Sequence, residues 1–211
     1  MITTNSKPPT PLRKKGRPLS FDRNAALHKA MLLFWRHGYE ATSLNDLTLA
    51  MGVKPSSVHT VFGDKKRLFL EAVGLYLSGP ITSSTLIAQA TDGRAAAAAL
   101  LTTAVVGFTG NDTPAGCLLA SSAISCSESA SEVQEELAGI RRGIEGQLRE
   151  KVVESVDAGT LPANADAEAL ASLTMALIQG LSGLARDGAS RDKLLRVVDT
   201  AMQSWPASIQ K

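Results

Sequence analysis

Residues 42–65 read Thr-Ser-Leu-Asn-Asp-Leu-Thr-Leu-Ala-Met-Gly-Val-Lys-Pro-Ser-Ser-Val-His-Thr-Val-Phe-Gly-Asp-Lys and carry the strongest structural signal in the chain. A capping-box pattern that begins at Ser43 predicts a helix start, and Gly52 predicts the turn that ends this helix. Pro55 suits the first position of a second short helix. Two short helices joined in this way form a helix-turn-helix, whose second helix enters the major groove of DNA.

Polar side chains around this turn are the candidate DNA contacts. Thr42 and Ser43 precede a helix N-terminus, where hydroxyls and backbone amides hold a phosphate. Lys54 is a candidate for a guanine or phosphate contact, and Lys65 with Lys66 for the backbone beside the groove. The other candidates on the second helix are Pro55, Ser56, Ser57, His59 and Thr60. The alternative is an ordinary solvated helix face.

Apolar positions of the two short helices are expected to face the core because they recur at helical spacing. These positions are Leu44, Leu47, and Ala50 or Met51 in the first helix, and Val58, Val61 and Phe62 in the second. Capping residues, glycines and prolines delimit further helices on both sides. The expected segments are 23–37, 65–78, 94–108, 116–127, 131–158, 167–187 and 191–205. Strand-like alternation is absent from the sequence, so the fold class is all-α.

The net charge of +2 conceals a strong asymmetry along the chain. Residues 1–67 contain twelve Lys or Arg against four Asp or Glu, whereas the remainder contains ten against sixteen. A basic front end joined to an acidic body indicates that the front end meets a polyanion.

Residues 1–18 are rich in Pro, Thr, Lys and Arg and contain no acidic residue, which predicts a disordered basic arm. Its end, Lys-Lys-Gly-Arg-Pro at 14–18, resembles the core of an AT-hook. Arg17 would then lie in a narrow, A·T-rich minor groove. The alternative is a solubilising tail with generic attraction to phosphates.

Several classes of function find no support in the sequence. Apolar residues make up 44% of the chain. We expect no membrane span and no signal peptide. Two cysteines make no disulfide framework, so a cytoplasmic protein is expected. His28, His37 and His59 have no partners at metal-ligand spacing, and there is no defensible nucleophile–base pair. We therefore expect no metal, no cofactor and no enzymatic activity.

The spaced pattern around the helix-turn-helix resembles that of the TetR/AcrR family of bacterial transcriptional regulators. It covers about residues 19–78, and a dozen positions agree within this one window. One position departs from the family pattern, because His59 stands where the family usually has a phosphate-binding Tyr. The matching residues are Ala26-Leu27, Phe34, the run 38–44, Asp46-Leu47, the run 50–53, the run 62–65 and Leu68-Phe69.

This resemblance implies a homodimeric repressor of nine or ten helices that reads a palindromic operator. It divides the chain into the arm 1–18, a DNA-binding domain 19–78 and a ligand-binding and dimerisation domain 79–211. A small molecule in the larger domain would move the two recognition helices out of register through the helix 64–78. Half-sites about one helical turn, roughly 34–36 Å, apart make register sensitive to such a pivot.

The C-terminal helices supply the expected dimer interface and ligand pocket. Leucines interspersed with small residues allow close helix approach in a four-helix interface between two copies, although an internal core face is the alternative. The interface candidates are Leu173, Ala176, Leu177, Gly180, Leu181 and Leu184. The pocket candidates are Phe108, Cys117, Leu118, Ile124, Met175 and Gln179.

Cys117 is the residue with the most divergent interpretations. A helix N-terminus lowers a thiol pKa, and some relatives that share a Gly-Cys-Leu-Leu stretch respond to oxidants or electrophiles, so the residue is a candidate sensor. The simpler interpretation is a small buried packing residue. Cys126 lies nine residues away, about 13.5 Å along one continuous helix, which is too far for a disulfide.

Two functions from other classes remain as alternatives to the ligand-responsive repressor. One is an architectural DNA-binding protein with little sequence preference, which would use the basic arm and a fixed dimer. The other is a thiol-dependent enzyme based on Cys117, which needs a nearby base that the sequence does not show.

Overall fold

The computed structural model describes residues 21–124 and 126–209, and this part of the chain is helical without a strand. The expected all-α class is confirmed. The Arg17 prediction lies outside the described residues. The helices are α1 (Arg23–His37), α2 (Leu44–Met51), α3 (Pro55–Phe62), α4 (Lys65–Leu77), α5 (Ser83–Gln89), α6 (Gly93–Phe108), α7 (Leu118–Ser121), α8 (Ser131–Asp157), α9 (Ala167–Arg186) and α10 (Arg191–Met202).

The helix-turn-helix forms as its capping residues predict. The Ser43 side chain accepts from the Asp46 backbone N–H while the Asp46 carboxylate accepts from the Ser43 backbone N–H, which completes the capping box at the start of α2. Gly52 ends α2 in the left-handed conformation with φ 70°. Pro55 then occupies the first turn of α3, where its missing N–H costs nothing.

An aromatic cluster holds α1, α4 and the segment between α1 and α2 together. The Phe34 and Phe69 ring centroids lie 5.0 Å apart in an edge-to-face arrangement, and Tyr39 packs at 5.0 Å from Phe69. From the other side, Leu47, Val58 and Phe62 of α2 and α3 fill the core. Leu44 is a correction, because it is 50% exposed at the first position of α2. The first helical turn overhangs the core and leaves its side chain in solvent.

The C-terminal body is built around α6, which packs against α5, α8, α9 and α10. Its start requires glycine, because a Cβ on Gly93 would lie 2.9 Å from Cα of Val152. The Gly93 backbone N–H donates to Ser155 Oγ at 2.9 Å, which ties α6 to α8. A small residue here therefore lets two long helices cross at close range.

The predicted helix 116–127 is wrong beyond its first turn, because α7 ends at Ser121. The Ser121 and Ser122 hydroxyls bond to the carbonyls of Cys117 and Leu118, four residues back, and such bonds weaken a helix. The Ser122 carbonyl accepts the Tyr39 N–H at 2.8 Å instead of continuing the helix. Cys117 and Cys126 therefore do not lie on one continuous helix, so that argument against a disulfide does not apply. Both cysteines are nevertheless free thiols.

Helix α9 bears on the expectation that the chain has no membrane span. This 20-residue helix contains an 18-residue stretch with a mean hydropathy of 1.2 and is long and apolar enough, by length and composition, to cross a membrane. Leu170, Met175 and Leu181 on this helix are nevertheless buried inside the chain, where α9 packs against α6 and α8.

The C-terminal end of α1 docks against the loop that precedes α7. The Trp35 indole N–H donates to the Gly116 carbonyl at 3.0 Å. The Arg186 guanidinium of α9 donates to the carbonyls of Trp35 and Arg36 at 3.2 and 3.1 Å, so a cation closes the C-terminus of α1. We call these contacts of Trp35, Gly116 and Arg186 the α1 dock.

The α1 dock leaves no room for a side chain at Gly116, whose φ is +80°. An added Cβ would lie 2.7 Å from Cγ of Arg186 and 2.9 Å from the Ser182 carbonyl oxygen. Gly188 has a similar φ of +87° but open space around the same added atom. Alanine substitutions at the two glycines therefore distinguish the effect of backbone strain from that of steric conflict.

We predict that Gly188→Ala lowers the free energy of unfolding by roughly 1 kcal/mol, because only left-handed strain is added. Gly116→Ala is expected to lower it by a further ~1–3 kcal/mol, because the Cβ overpacks the dock. Urea unfolding of the two variants at equal protein concentration measures this difference. Equal losses in the two variants would show that the dock tolerates a methyl group.

Candidate functional site

The outer face of α3 presents most of the predicted contact residues to solvent. Lys54, immediately before the helix, is exposed and uses no side-chain bond to cap it. The other exposed candidates on this face are Pro55, Ser56, His59 and Thr60, while Ser57 is half-buried. The Thr60 hydroxyl donates to the Ser56 carbonyl at 2.8 Å and still has lone pairs to accept with. The face is therefore cationic and polar at its leading end.

The two residues that precede α2 differ in what they can offer a phosphate. Thr42 is 1% exposed and its hydroxyl donates to the Gly38 carbonyl at 2.6 Å, so this hydroxyl does not reach solvent. Ser43 is exposed, and its hydroxyl bonds to the Asp46 carboxylate at 2.6 Å. These hydrogen bonds lower the pKa of Asp46, which keeps a negative charge beside this helix start. Any phosphate contact of Ser43 must compete with that carboxylate.

Lys65 and Lys66 point in different directions. Lys65 Nζ lies 4.5 Å from the Tyr39 ring centroid and donates to the Glu40 carbonyl at 3.4 Å. Burial lowers the pKa of Lys65. Lys66 instead pairs with Glu132 of α8, so its ammonium faces the C-terminal body. Lys65 therefore lies against the segment between α1 and α2, whereas Lys66 is held by α8.

A cavity of about 620 Å³ lies in the C-terminal body above α1 and α4. Its size falls within the range of small-molecule sites. Trp35 of α1 and Tyr76 of α4 line it, so the two helices that pack against α2 and α3 form one wall. Other walls come from α5, α6, α7, α8 and α9.

The predicted pocket residues divide into two groups. Phe108, Cys117, Met175 and Gln179 line the cavity. Leu118 and Ile124 do not line it. Leu118 is fully buried, and Ile124 is 57% exposed because the chain leaves the helix before reaching it.

The dimer candidates on α9 divide in a similar way. Leu173 and Leu184 are each 37% exposed, and Ala176 and Gly180 are also exposed on the outer face. Leu177 is half-buried. Leu181 is a correction, because it is 1% exposed and packs inside its own chain. The outer stripe of α9 is therefore apolar and contains small residues, and Leu181 is not part of it.

Cys117 lies in a closed environment at the cavity wall. The Tyr76 hydroxyl donates to its sulfur at 3.3 Å, and its backbone N–H donates to Ser182 Oγ at 2.8 Å. Burial raises the pKa of the Cys117 thiol and outweighs the hydrogen bonds that lower it. The expected lowering by a helix N-terminus is therefore wrong, because α7 is one turn long and the sulfur is desolvated.

Sequence reasoning missed Trp35, Tyr76 and Arg141 as cavity residues. Arg141 was detectable, because it stands on the apolar stripe of α8 formed by Leu137, Ile140, Ile144 and Leu148. A cation at a stripe position is a signal for a polar role inside the body. Trp35 gave no such signal, because a buried aromatic in α1 looks like an ordinary core residue. Among residues 21–124 and 126–209, no cluster of three His, Cys, Asp or Glu that would hold a metal is present.

Two family models match the chain at separate segments. Residues 26–72 match the model of bacterial regulatory proteins of the tetR family, and residues 93–201 match the model of the tetracyclin repressor-like C-terminal domain. The first segment contains the helix-turn-helix and the second contains the cavity helices from α6 onwards.

Curated and solved proteins resemble the chain over almost its full length. The HTH-type transcriptional repressor ComR of Escherichia coli is 34% identical over 94% of this chain and 95% of its own. A cysteine-substituted TetR family transcriptional regulator CifR, solved with 26-base-pair operator DNA, superposes with a TM-score of 0.86 at 36% identity over 90% of this chain and all of its own. The reduced form of Escherichia coli NemR shares the fold, with a TM-score of 0.70 at 17% identity over 90% and 98% of the two chains.

We predict that iodoacetamide labels Cys126 several-fold faster than Cys117 in the native protein at neutral pH. Burial raises the pKa of both thiols, so the difference in rate comes from access to the sulfur: Cys126 is only half-buried, whereas Cys117 is enclosed. Because its pKa is raised, labelling of Cys117 is expected to accelerate as the pH rises. Peptide mass spectrometry over time gives both rates.

Cys126→Ser isolates the reaction of Cys117, and urea-unfolded protein gives the rate of each thiol without the fold. Faster labelling of Cys117 than of Cys126 in the folded chain would contradict the protected environment and favour the thiol-sensor hypothesis.

Proposed function

Because the chain belongs to the TetR family of bacterial regulatory proteins, we propose that it is a cytoplasmic repressor that binds a palindromic operator as a homodimer. A small molecule in the 620 Å³ cavity releases it from the operator. Residues 19–78 form the DNA-binding domain, residues 79–211 the ligand-binding and dimerisation domain, and residues 1–18 a basic arm. The observation that carries this proposal is the exposed polar face of α3 mounted on helices that line the cavity.

Several features support DNA reading by α3. Its leading end carries Lys54, and Ser56, His59 and Thr60 project into solvent where a major groove would accept them. Lys65, the first residue of α4 and bonded to the Glu40 carbonyl, is offered as a phosphate contact because α4 follows α3 directly in the chain. The imidazole N–H of His59 offers a hydrogen-bond donor to a phosphate where the family usually has a phenol.

The outer stripe of α9 supports association of two copies. Leu173, Leu184 and the intervening small residues Ala176 and Gly180 form an exposed apolar strip on a helix whose opposite face packs into the body. Such a strip meets its own symmetry mate in a two-fold interface. Pairing two chains would set the two α3 helices at a fixed spacing, which a palindromic operator requires.

The cavity is positioned to control that spacing. An occupant touches Trp35 of α1 and Tyr76 of α4. Helix α1 packs directly on α2, and α4 packs directly on α3. The ligand shifts the equilibrium only if it binds the non-reading arrangement more tightly. The enclosed, weakly ionised Cys117 supports a ligand that binds without covalent chemistry over a thiol-reactive inducer.

The two alternatives predict different behaviour. An architectural protein would bind duplex DNA through phosphates alone and show little sequence preference. An enzyme based on Cys117 needs a base beside the sulfur, whereas the described contacts of this sulfur are the Tyr76 hydroxyl, the backbone of Leu119 and Ala120, and the charge of Arg141. This set contains no group that accepts a thiol proton at neutral pH.

We predict that selection of bound sites from random duplex DNA recovers one common palindrome. Lys54→Ala removes one contact from each subunit of the dimer, and since a charged contact contributes about 1.5–3 kcal/mol, binding to that palindrome is expected to weaken by at least about a hundredfold. It should also reduce the salt slope by about two if both contacts are to phosphate. Gel-shift titration at several stated salt concentrations measures both quantities.

Lys151→Ala, on α8, removes the same charge far from α3 and is the matched control. Recovery of no common sequence, or equal losses in the two lysine variants, would count against sequence-specific reading by α3.

We predict that Leu184→Glu converts the protein from dimer to monomer at micromolar concentration, because two carboxylates would face each other across the pairing strip. Val153→Glu, at an equally exposed apolar residue on α8, is expected to leave the dimer intact. Sedimentation equilibrium distinguishes the two states. A dimer that survives Leu184→Glu but not Val153→Glu would move the interface to α8.

A further inference from the structure

We infer that the cavity takes an amphiphilic carboxylate, a molecule with an apolar body and a single carboxylate that pairs with Arg141. This inference rests on the proposed function of the cavity as the inducer site and names the chemical class of its ligand. Three observations carry it: the charge inside the cavity, the missing partner of that charge, and the character of the remaining wall.

Arg141 brings the charge into the cavity. Tyr76, Cys117 and Arg141 are the titratable groups among its lining residues, and at neutral pH only the guanidinium is ionised. The guanidinium donates from Nη1 to the Leu119 carbonyl of α7 at 2.6 Å. This bond holds the cation at the α7 side, and a guanidinium has five N–H donors in total. Further donors are therefore available to a ligand.

Within the described residues, no carboxylate pairs with Arg141. Its neighbour Arg142 faces outward and pairs with Glu135 at 2.5 Å, and Arg149 pairs with Glu168. Glu145, one turn further along α8, accepts a hydrogen bond from Ser172 instead. Burial lowers the pKa of Arg141, which shows that the surroundings oppose its charge. A partly desolvated cation without a counterion is stabilised by an anion that enters beside it.

The rest of the wall accepts an apolar body and not a second charge. The buried lining residues are hydrocarbon, aromatic or sulfur-containing, and the uncharged polar lining residues are half-buried or exposed: Thr82, Ser83, Ser84, Thr103, Gln147 and Gln179. A planar carboxylate matches the fork of one guanidinium, whereas a phosphate dianion would need a second cation. The deep apolar residues are Trp35, Leu100, Phe108, Leu119, Ile144 and Ile178.

Octanoate and octanamide test the inference, because they have the same chain and differ in charge. Isothermal titration calorimetry with the full chain is expected to show that octanoate binds and that octanamide binds at least about tenfold more weakly. Arg141→Gln should weaken octanoate binding by at least about tenfold and leave octanamide binding unchanged. Arg142→Gln removes a charge from the next residue of the same helix and should change neither affinity.

Arg141→Lys is the control for a folding defect, because it keeps the charge but loses the planar fork of the guanidinium. It is expected to weaken octanoate binding less than Arg141→Gln does and to retain the preference for octanoate over octanamide. Thermal unfolding of each variant without ligand reports whether the fold survives. Equal binding of octanoate and octanamide, equal losses in Arg141→Gln and Arg142→Gln, or no binding of octanoate at millimolar concentration would overturn the inference.

Operator binding separates this inference from the proposed function. If octanoate binds through Arg141 but the selected palindrome stays bound, the carboxylate site stands and the inducer role of the cavity fails. If the palindrome is recovered but octanoate binds no better than octanamide, the repressor stands and the ligand class assigned to Arg141 fails.

Discussion

The α1 dock is the contact on which the rest of the structure depends. The Trp35 indole donates to the Gly116 carbonyl at 3.0 Å, and the Arg186 guanidinium donates to the last carbonyls of α1. These bonds satisfy groups that a helix C-terminus cannot pair by itself, and the cation opposes the negative end of the helix. Gly116 has no Cβ, which allows Arg186 and Ser182 to approach its backbone. Helix α1 and the C-terminal body therefore meet through directional bonds, and a small change in the angle between them alters several bonds together.

The same dock explains why the cavity adjoins the reading head. Trp35 belongs to α1 but faces the cavity, where its ring packs edge-to-face on Tyr76 of α4 with centroids 4.9 Å apart. Tyr76 in turn donates to the sulfur of Cys117 at 3.3 Å. Under the proposed function, a ligand in the cavity would press on these contacts and so on α1 and α4, the helices that pack against α2 and α3. Because packed interiors have few alternative arrangements, such pressure favours a discrete pivot over a gradual deformation.

Elements whose ends depend on local chemistry were predictable from the sequence. Ser43 and Gly52 set the two ends of α2, and Pro55 the start of α3, where they were expected, because caps and turns act within a few residues. The four correct cavity residues were found from helix order and the family resemblance. Leu44, Leu118 and Ile124 were misplaced, because exposure depends on where neighbouring helices cross, and helical periodicity alone does not contain that information.

The amino-acid sequence by itself determined the helix-turn-helix, the all-α class and the family, because these follow from short-range caps, apolar spacing and a dense local motif. Only the tertiary structure decided the end of α7, where Tyr39 takes the Ser122 carbonyl that a longer helix would have used. It also decided that burial raises the pKa of Cys117 and that Lys66 turns towards Glu132. Finally, it placed Arg141 in an apolar cavity without a carboxylate partner among the described residues. The physical reason is shared, since desolvation and charge pairing depend on residues far apart in the chain.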